Sequence, residues 1–394
     1  MLLAYLSSIP CDTGGGGGLQ IHRHFAERRD FAFEDCTVRR RPWIWDRWLG
    51  VHFARSAVFK RIRSSRLFPG FLLVECIGGI RREATEIERV ISSRRPTAIL
   101  TVGYGRECFV AEEVSRMTGI PLITIFHDWW PDLVEGATPF VRTILDRRFR
   151  RLAKHSVLIL PVSDELRLEL GDHPNALILP PIPTAVFPQN DFATQAPPFR
   201  PSRTTLVYAG TLAGSYGAMI LKLAKHLLLT GGNGGWTLKA YGPIDLHLEQ
   251  EWQKLAEAGI YGGILAQGKT LDCALQQADV LLVVMDFEPK NRRRVRTSFP
   301  CKILDYAAFA KPIVVWGPAE SFAARFADRH GLGWVITEED TASVDALFSS
   351  RWSAKAAEIY GQSMAHLYRG DFSPNHIHQM LISAIDSTIA LRRA

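Results

Sequence analysis

The sequence predicts an α/β protein with two Rossmann-like, doubly wound parallel-sheet domains in tandem. Three observations lead there. The chain has 394 residues, which suits two domains at roughly 100–200 residues apiece. Short apolar runs without period-two alternation recur between amphipathic stretches, as expected of strands buried on both faces and the helices that cover them. The pattern breaks once, where Pro180, Pro181, Pro183, Pro188, Pro197, Pro198 and Pro201 crowd together, and then restarts.

In the first half, strands are predicted over Leu2–Leu6, Phe71–Glu75, Thr97–Val102, Pro121–Phe126 and Ser156–Val162. Helices are predicted over Arg81–Ser92, Glu107–Thr118, Pro139–Ala153 and Asp164–Leu170. The second strand set is Thr204–Gly210, Trp236–Gly242, Gly262–Gly268, Asp279–Met285, Lys311–Gly317 and Gly333–Ile336, with helices at Lys302–Ala310 and Ser321–Asp328. The tail, Ser353–Arg393, reads as two helices broken near Gly370–Pro374. The expected division is an N-terminal domain over 1–185 completed by a C-terminal helix over 372–394, a linker over 186–203, and a second domain over 204–371. Open parallel sheets bind ligands beyond the carboxyl ends of their strands, so a cleft between the domains is the expected site.

Hydrophobic residues make up 47% of the chain and charged residues 22%, the balance of an ordinary folded protein. The six cysteines show no metal or redox spacing, which predicts free thiols in a reducing compartment. Met1–Leu6 is too short for a signal-peptide core and has no basic flank. No apolar run approaches the ~20 residues a spanning helix needs. The expected location is cytoplasmic. The net charge is +7, and the excess concentrates in 39–66, where Asp46 is the lone acid among arginines and Trp43, Trp45 and Trp48. That mixture suits anionic lipid head groups or nucleic acid, and equally a solvated helical hairpin.

Gly14–Gly18 follow the first strand and precede a helix expected near Leu19. Free backbone N–H groups at such a place can hold an anion. The run lacks the spacing of a dinucleotide fingerprint and the Lys-Ser or Lys-Thr of a P-loop. The alternative is a flexible turn.

Several stretches resemble the GT-B glycosyltransferases, and family 4 among them. The strongest is SFPCKILDYAAFAKPIVVWGPAES, Ser298–Ser321, which is similar to that family's Ser-x-Pro-x-Lys-x-x-Glu-Tyr signature. TLVYAGTLAGSYG, Thr205–Gly217, resembles the turn that opens the nucleotide-sugar domain. TIFHDWWPDL resembles the strand-end histidine segment, and the glycine run resembles the loop after the first strand. The resemblance covers nearly the whole chain.

The resemblance implies two facing domains and transfer of a sugar from a nucleotide-sugar donor to a glycan or lipid-linked acceptor, with retention, in polysaccharide or glycoconjugate biosynthesis. It implies no bound metal or other cofactor, the nucleotide sugar being a co-substrate, and no nucleic-acid partner. Donor phosphates would meet Gly15, Gly16, Gly17, Ser298, Lys302, Arg294 and Arg296. Ribose and base would meet Asp305, Gly210, Gly242 and Pro243. The sugar would meet Phe299, Pro300 and His127, the last as the catalytic-site histidine. Segment 39–66 would be a peripheral membrane contact. A leaving pyrophosphate needs preorganised donors and cations, and Lys302 opens a helix announced by Pro300, where both converge.

Three departures from the family pattern stand out. Thr297 occupies the place of the first of two glutamates, leaving Asp286 or Glu288 as substitutes. Asp305 replaces the second, one methylene shorter. No base follows Gly210 before Lys222. Thr297 and the missing bases keep open a non-catalytic nucleotide-sugar-binding or partner protein. A nucleotide-sugar 2-epimerase on the same fold is the other alternative, and it would need carboxylates as proton-transfer groups in the cleft.

Overall fold

The computed structural model describes residues 1–13, 16–28, 30–37, 68–183, 204–231, 235–266 and 268–393. Gly15, the segment 39–66 and the expected linker 186–203 lie outside the described residues. The chain divides into two units, one of Met1–Pro180 with His378–Ala394 and one of Pro181–Ile377.

Unit 1 is a five-stranded parallel sheet in the order β2-β1-β3-β4-β5. The strands are β1 (Leu2–Tyr5), β2 (Ala32–Asp35), β3 (Ala98–Val102), β4 (Leu122–Phe126) and β5 (Leu158–Pro161). Every residue of the inner strands β3 and β4, and of the edge strand β5, is buried, as expected of strands covered by helices on both faces. The helices Ile80–Arg94, Glu107–Thr118, Pro139–His155 and Asp164–Leu170 provide the cover. Thr138 and Ser163 cap the last two, accepting from Val141 N and Leu166 N. Such a cap contributes about 1 kcal/mol.

Two expectations for unit 1 fail. Phe71–Glu75 belongs to a helix, Phe68–Ile77, not to a strand. Its buried residues, Phe68 and Cys76, lie two turns apart, and Val74 is 65% exposed. An apolar run this short fits either structure, and packing decides. The missing strand is β2, whose burial runs exposed, intermediate, intermediate, exposed. An edge strand has one neighbour, and a polar sequence suffices for it.

Unit 2 is a second five-stranded parallel sheet, ordered β10-β9-β8-β6-β7. Its strands are β6 (Thr204–Ala209), β7 (Trp236–Tyr241), β8 (Val280–Val284), β9 (Ile313–Trp316) and β10 (Gly333–Ile336). Trp236, Trp252 and Trp316 are almost wholly buried in its core. The Trp236 indole donates to Asp345 at 2.7 Å, so the buried N–H is satisfied. Gly262–Gly268 is not a strand. Pairing stops at a single bridge between Ala240 and Tyr261, because Gly263 and Gly268 take positive φ values of 79° and 98°, outside the extended region. The helices Ala354–Arg369 and Pro374–Arg393 form the tail.

No described helix is long and apolar enough to cross a membrane.

Candidate functional site

In unit 2 the candidate site forms at the carboxyl ends of β6 and β7. Each strand is followed by a glycine, Gly210 at φ 150° and Gly242 at φ 146°. A side chain at either would collide: a Cβ on Gly242 would lie 1.7 Å from the Gly210 carbonyl oxygen, and one on Gly210 would lie 2.1 Å from Lys302 Nζ. The paired turns therefore let the lysine reach the strand ends. Gly210 N donates to Tyr241 O at 2.9 Å and Leu212 N to Pro243 O at 2.8 Å, so Pro243 helps to zip the turns together.

Lys302 rides on the helix Cys301–Ala307. Its ammonium stands 3.8 Å from the centre of the Tyr208 ring. Among the described residues it has no carboxylate or hydrogen-bond partner. Burial pushes its pKa below the usual lysine range, with Tyr306 and Cys301 opposing. A half-buried cation held by an aromatic face instead of an acid keeps its charge for an incoming anion. Tyr208 is itself buried, and its hydroxyl donates to Thr211 O at 2.9 Å. Tyr306, one turn beyond Lys302, donates to Ala209 O at 3.3 Å and fixes the helix to the end of β6.

Asp305 is half-buried on the same helix. It raises the pKa of Asp272, on the helix Lys269–Gln276, although burial is the larger cause of that shift. The two carboxylates are therefore close enough to repel.

Arg294 is half-buried, 5.7 Å from the Tyr216 ring and 3.5 Å from Asp286 Oδ2. Its Nε is buried without a partner. Asp286 does not act as a free substitute for the missing glutamate. It accepts from Glu288 N at 2.8 Å and from Asn291 Nδ2 at 2.5 Å, and so shapes its own loop. Beside it a cavity of about 220 Å³ is lined by Glu288, Arg292, Pro318 and Glu320. Thr297 is fully buried, with its hydroxyl given to Arg293 O at 3.0 Å.

Three other expected contacts look different in place. The Phe299 ring packs at a tilt against Phe322 and Phe326, at 4.5 and 4.7 Å, and the residue is buried. Pro300 caps the Lys302 helix, and Ile303 N donates to its carbonyl at 3.1 Å. Ser298 closes the preceding helix by donating its N–H to Arg294 O at 2.8 Å, while the Arg296 carbonyl accepts from Arg325 at 3.3 Å.

One N–H suited to a phosphate is already taken. Gly214, which opens the long helix after β6, donates to Asp245 at 2.9 Å. Lys302 and Arg294 are the cations nearest these strand ends and the Asp286 loop.

In unit 1, His127 follows β4 and burial pushes its pKa down to about 4. It is a neutral ring at neutral pH, fit to donate or accept hydrogen bonds. Gly17 lies beside it: a Cβ there would come 3.7 Å from His127 Nδ1. Gly16, Gly17 and Gly18 are not a loop ahead of a helix at Leu19. The helix runs Gly16–Ile21 and already contains these three. Gly16 is exposed with nothing near it, while Gly18 is buried, and a Cβ on it would meet the Pro10 carbonyl at 2.6 Å. Close packing therefore accounts for Gly18, Gly17 packs against Ile9 and His127, and Gly16 alone of the three has open space around it.

Sequence reasoning missed Tyr208, Asp245, Asp272 and, in unit 1, His24. The signal for Tyr208 was its place two residues before Gly210, at the end of an apolar strand. Asp245 and Asp272 carried none. No group of side chains among the described residues has the makings of a metal site.

No family model matches the chain, and no curated protein matches it in sequence. Solved structures do. An E. coli trehalose-6-phosphate structure bound with UDP-2-fluoro glucose is 12% identical, covering 97% of this chain and 98% of that one, with a TM-score of 0.61. An α,α-trehalose-phosphate synthase (UDP-forming) from Burkholderia xenovorans, in complex with glucose-6-phosphate, is 13% identical over 97% and 99%, with a TM-score of 0.62. A trehalose-6-phosphate synthase studied for glycosyl transfer with retention is 13% identical over 98% and 99%, at 0.61. At such identities the likeness shows the fold alone. The chain has the GT-B fold, with one parallel-sheet α/β domain in each unit.

Proposed function

We propose that this protein is a glycosyltransferase that moves a sugar from a nucleotide-sugar donor to an acceptor with retention at the anomeric carbon. The observation that carries the reading is Lys302: an ammonium without a carboxylate partner, aimed at the glycine turns where two parallel strands end. A departing nucleoside diphosphate gains negative charge in the transition state, and a preorganised cation in a partly dry site stabilises it.

In this reading Lys302 and Arg294 take the donor phosphates, with Ser298 and Arg296 beside them. Asp305 accepts from the ribose hydroxyls, and Gly242 and Pro243 border the base. Gly16 and Gly17 are assigned to phosphate and His127 to the transferred sugar. A neutral His127 cannot act as a strong base at neutral pH. That agrees with front-face attack, in which a donor phosphate oxygen takes the acceptor proton. The nucleotide sugar is a co-substrate, and the reading calls for no resident cofactor. The family 4 resemblance adds a cytoplasmic place in polysaccharide or glycoconjugate assembly and a lipid-linked or glycan acceptor. The glucose-6-phosphate bound in the Burkholderia structure adds a sugar phosphate to the acceptors worth trying.

One observation favours a second reading, a nucleotide-sugar binder without turnover. Thr297 is buried and satisfied, and Asp286 is tied to its loop, so neither supplies the carboxylate that the family places there. A panel of nucleotide sugars assayed for nucleotide release separates the possibilities. Release that requires an acceptor supports the transferase. Turnover without an acceptor supports the epimerase, and binding without release supports the binder.

A further inference from the structure

Unit 1 carries a second cavity, of about 280 Å³, at the edge of the sheet opposite His127. His127 follows the carboxyl end of β4, whereas Ser156 and Val157 line this cavity just before β5 begins. It has room for roughly nine waters at ~30 Å³ each, more than a bare ion needs. Among the described residues its charged and titratable lining is Lys154, His155, His173 and Arg392, with no carboxylate.

The two cations come from the last turns of different helices, Pro139–His155 and Pro374–Arg393. Cations there ordinarily answer the exposed carbonyls of a helix C-terminus. In Pro139–His155 two of those carbonyls are occupied. Leu152 O accepts from Ser156 N at 3.1 Å and from Ser156 Oγ at 2.9 Å, and Ala153 O accepts from Ser156 N at 3.2 Å. The Ser156 carbonyl lies 2.9 Å from His173 Nε2. Among the described residues, Lys154 and Arg392 have neither an ion pair nor a hydrogen bond. His173 also meets Asn175 O at 2.7 Å and so pins the rim.

We propose that this pocket binds a phosphomonoester, its dianion held between Lys154 and Arg392 with the His155 ring beneath it. A guanidinium presents a fork to phosphate oxygens and an ammonium a point charge, and together they match a double negative charge. The depressed pKa of His155, caused by burial first and then by Arg151, Arg392, Arg116 and Arg148, is consistent with a positive site awaiting an anion. The phosphate could be carried by a small soluble molecule or by a lipid head group. The inference is independent of the donor site in unit 2.

The His155 ring resonance, assigned through its loss in His155→Gln, is a local reporter. Titrating the full chain with inorganic phosphate is expected to raise the His155 pKa. Lys154→Ala and Arg392→Ala are each expected to weaken phosphate about tenfold, the effect of one charged hydrogen bond. Both positions are exposed, so folding survives the change. Glycerol 3-phosphate in solution and phosphatidylcholine vesicles with or without phosphatidic acid then distinguish the carriers. Binding to acidic vesicles that both variants weaken assigns a head group. Displacement of inorganic phosphate by glycerol 3-phosphate without vesicle binding assigns a soluble ligand. A His155 resonance unmoved by phosphate, or moved equally in the wild type and both variants, overturns the proposal.

Discussion

The Lys302 ammonium sits 3.8 Å above the Tyr208 ring, and strand β6 and the signature helix are brought together by that contact. The arrangement is unusual in leaving the cation without an acid. If Lys302 stabilises the leaving phosphate, Lys302→Gln should lower kcat about 10²–10³-fold. Nucleoside diphosphate affinity should fall with it, as calorimetry would read. Unchanged diphosphate affinity in a folded Lys302→Gln protein would remove Lys302 from the donor site.

Tyr208 is expected to act through Lys302. Tyr208→Phe keeps the ring face and loses the hydroxyl bond to Thr211 O. Tyr208→Leu loses the face as well, about 0.5–2 kcal/mol of cation–π attraction. Diphosphate binding should therefore weaken clearly more in Tyr208→Leu than in Tyr208→Phe. Equal losses in the two variants would mean that the ring only fills the core.

The glycine run makes a sharper prediction in the structure than in the sequence. A methyl at Gly16 meets nothing, while one at Gly18 would press on the Pro10 carbonyl at 2.6 Å. Gly18→Ala should lower the urea midpoint measurably, by the 1–3 kcal/mol typical of overpacking. Gly16→Ala should leave it near the wild-type value, so any loss of donor affinity in Gly16→Ala reports on binding and not on folding. A midpoint more sensitive to Gly16→Ala than to Gly18→Ala would contradict the packing.

Three histidines of unit 1 set an acid limit. Burial pushes His24 down to about 3, helped by His378, His127 and neighbouring arginines, and His127 down to about 4. His378 is lowered mainly by burial while its contact with Asp30, at 2.8 Å, pulls it back. The unfolded chain protonates its imidazoles near pH ~6.5. Below that pH it binds more protons than the folded chain, so stability is full above about 6.5 and declines as acid approaches each folded value. His24 and His378 stack at 6.3 Å, and the His24 Nδ1 has no partner. His24→Phe should therefore flatten the dependence of the urea midpoint on pH between neutrality and pH 4. Parallel slopes in the wild type and the variant would count against a buried neutral His24.

The sequence revealed most where one residue type forces one structure. Runs such as Ile99-Leu100-Thr101-Val102 are buried whole and could hardly be anything but inner strands. The signature around Lys302 placed that residue and Asp305 on one helix, as found. What stayed hidden depends on partners distant in the chain. The edge strand Ala32–Asp35 is defined by pairing with β1, not by its own polar residues. Phe71–Glu75 looked like a strand, but burial of Phe68 and Cys76 made it a helix. The Asp286 tether and the Gly214–Asp245 bond are loop contacts that no periodicity announces.

Asp272 is the clearest such case, and it bears on nucleotide choice. Its carboxyl is pushed up by burial and by the charge of Asp305. A vicinal diol donates two hydrogen bonds, and a carboxylate is the acceptor that takes both. If Asp305 accepts from the ribose, the protein should bind a ribonucleoside diphosphate more tightly than its 2′-deoxy counterpart, by roughly the tenfold or more that a charged hydrogen bond is worth. Asp305→Asn should erase most of that preference while leaving the deoxy ligand nearly unaffected. The same substitution removes the neighbouring charge, so the Asp272 carboxyl should titrate closer to its ordinary range, which carboxyl-carbon NMR would show. Ribose discrimination that survives in Asp305→Asn would move the sugar contact away from Asp305. A silent Asp272 would separate the two carboxylates.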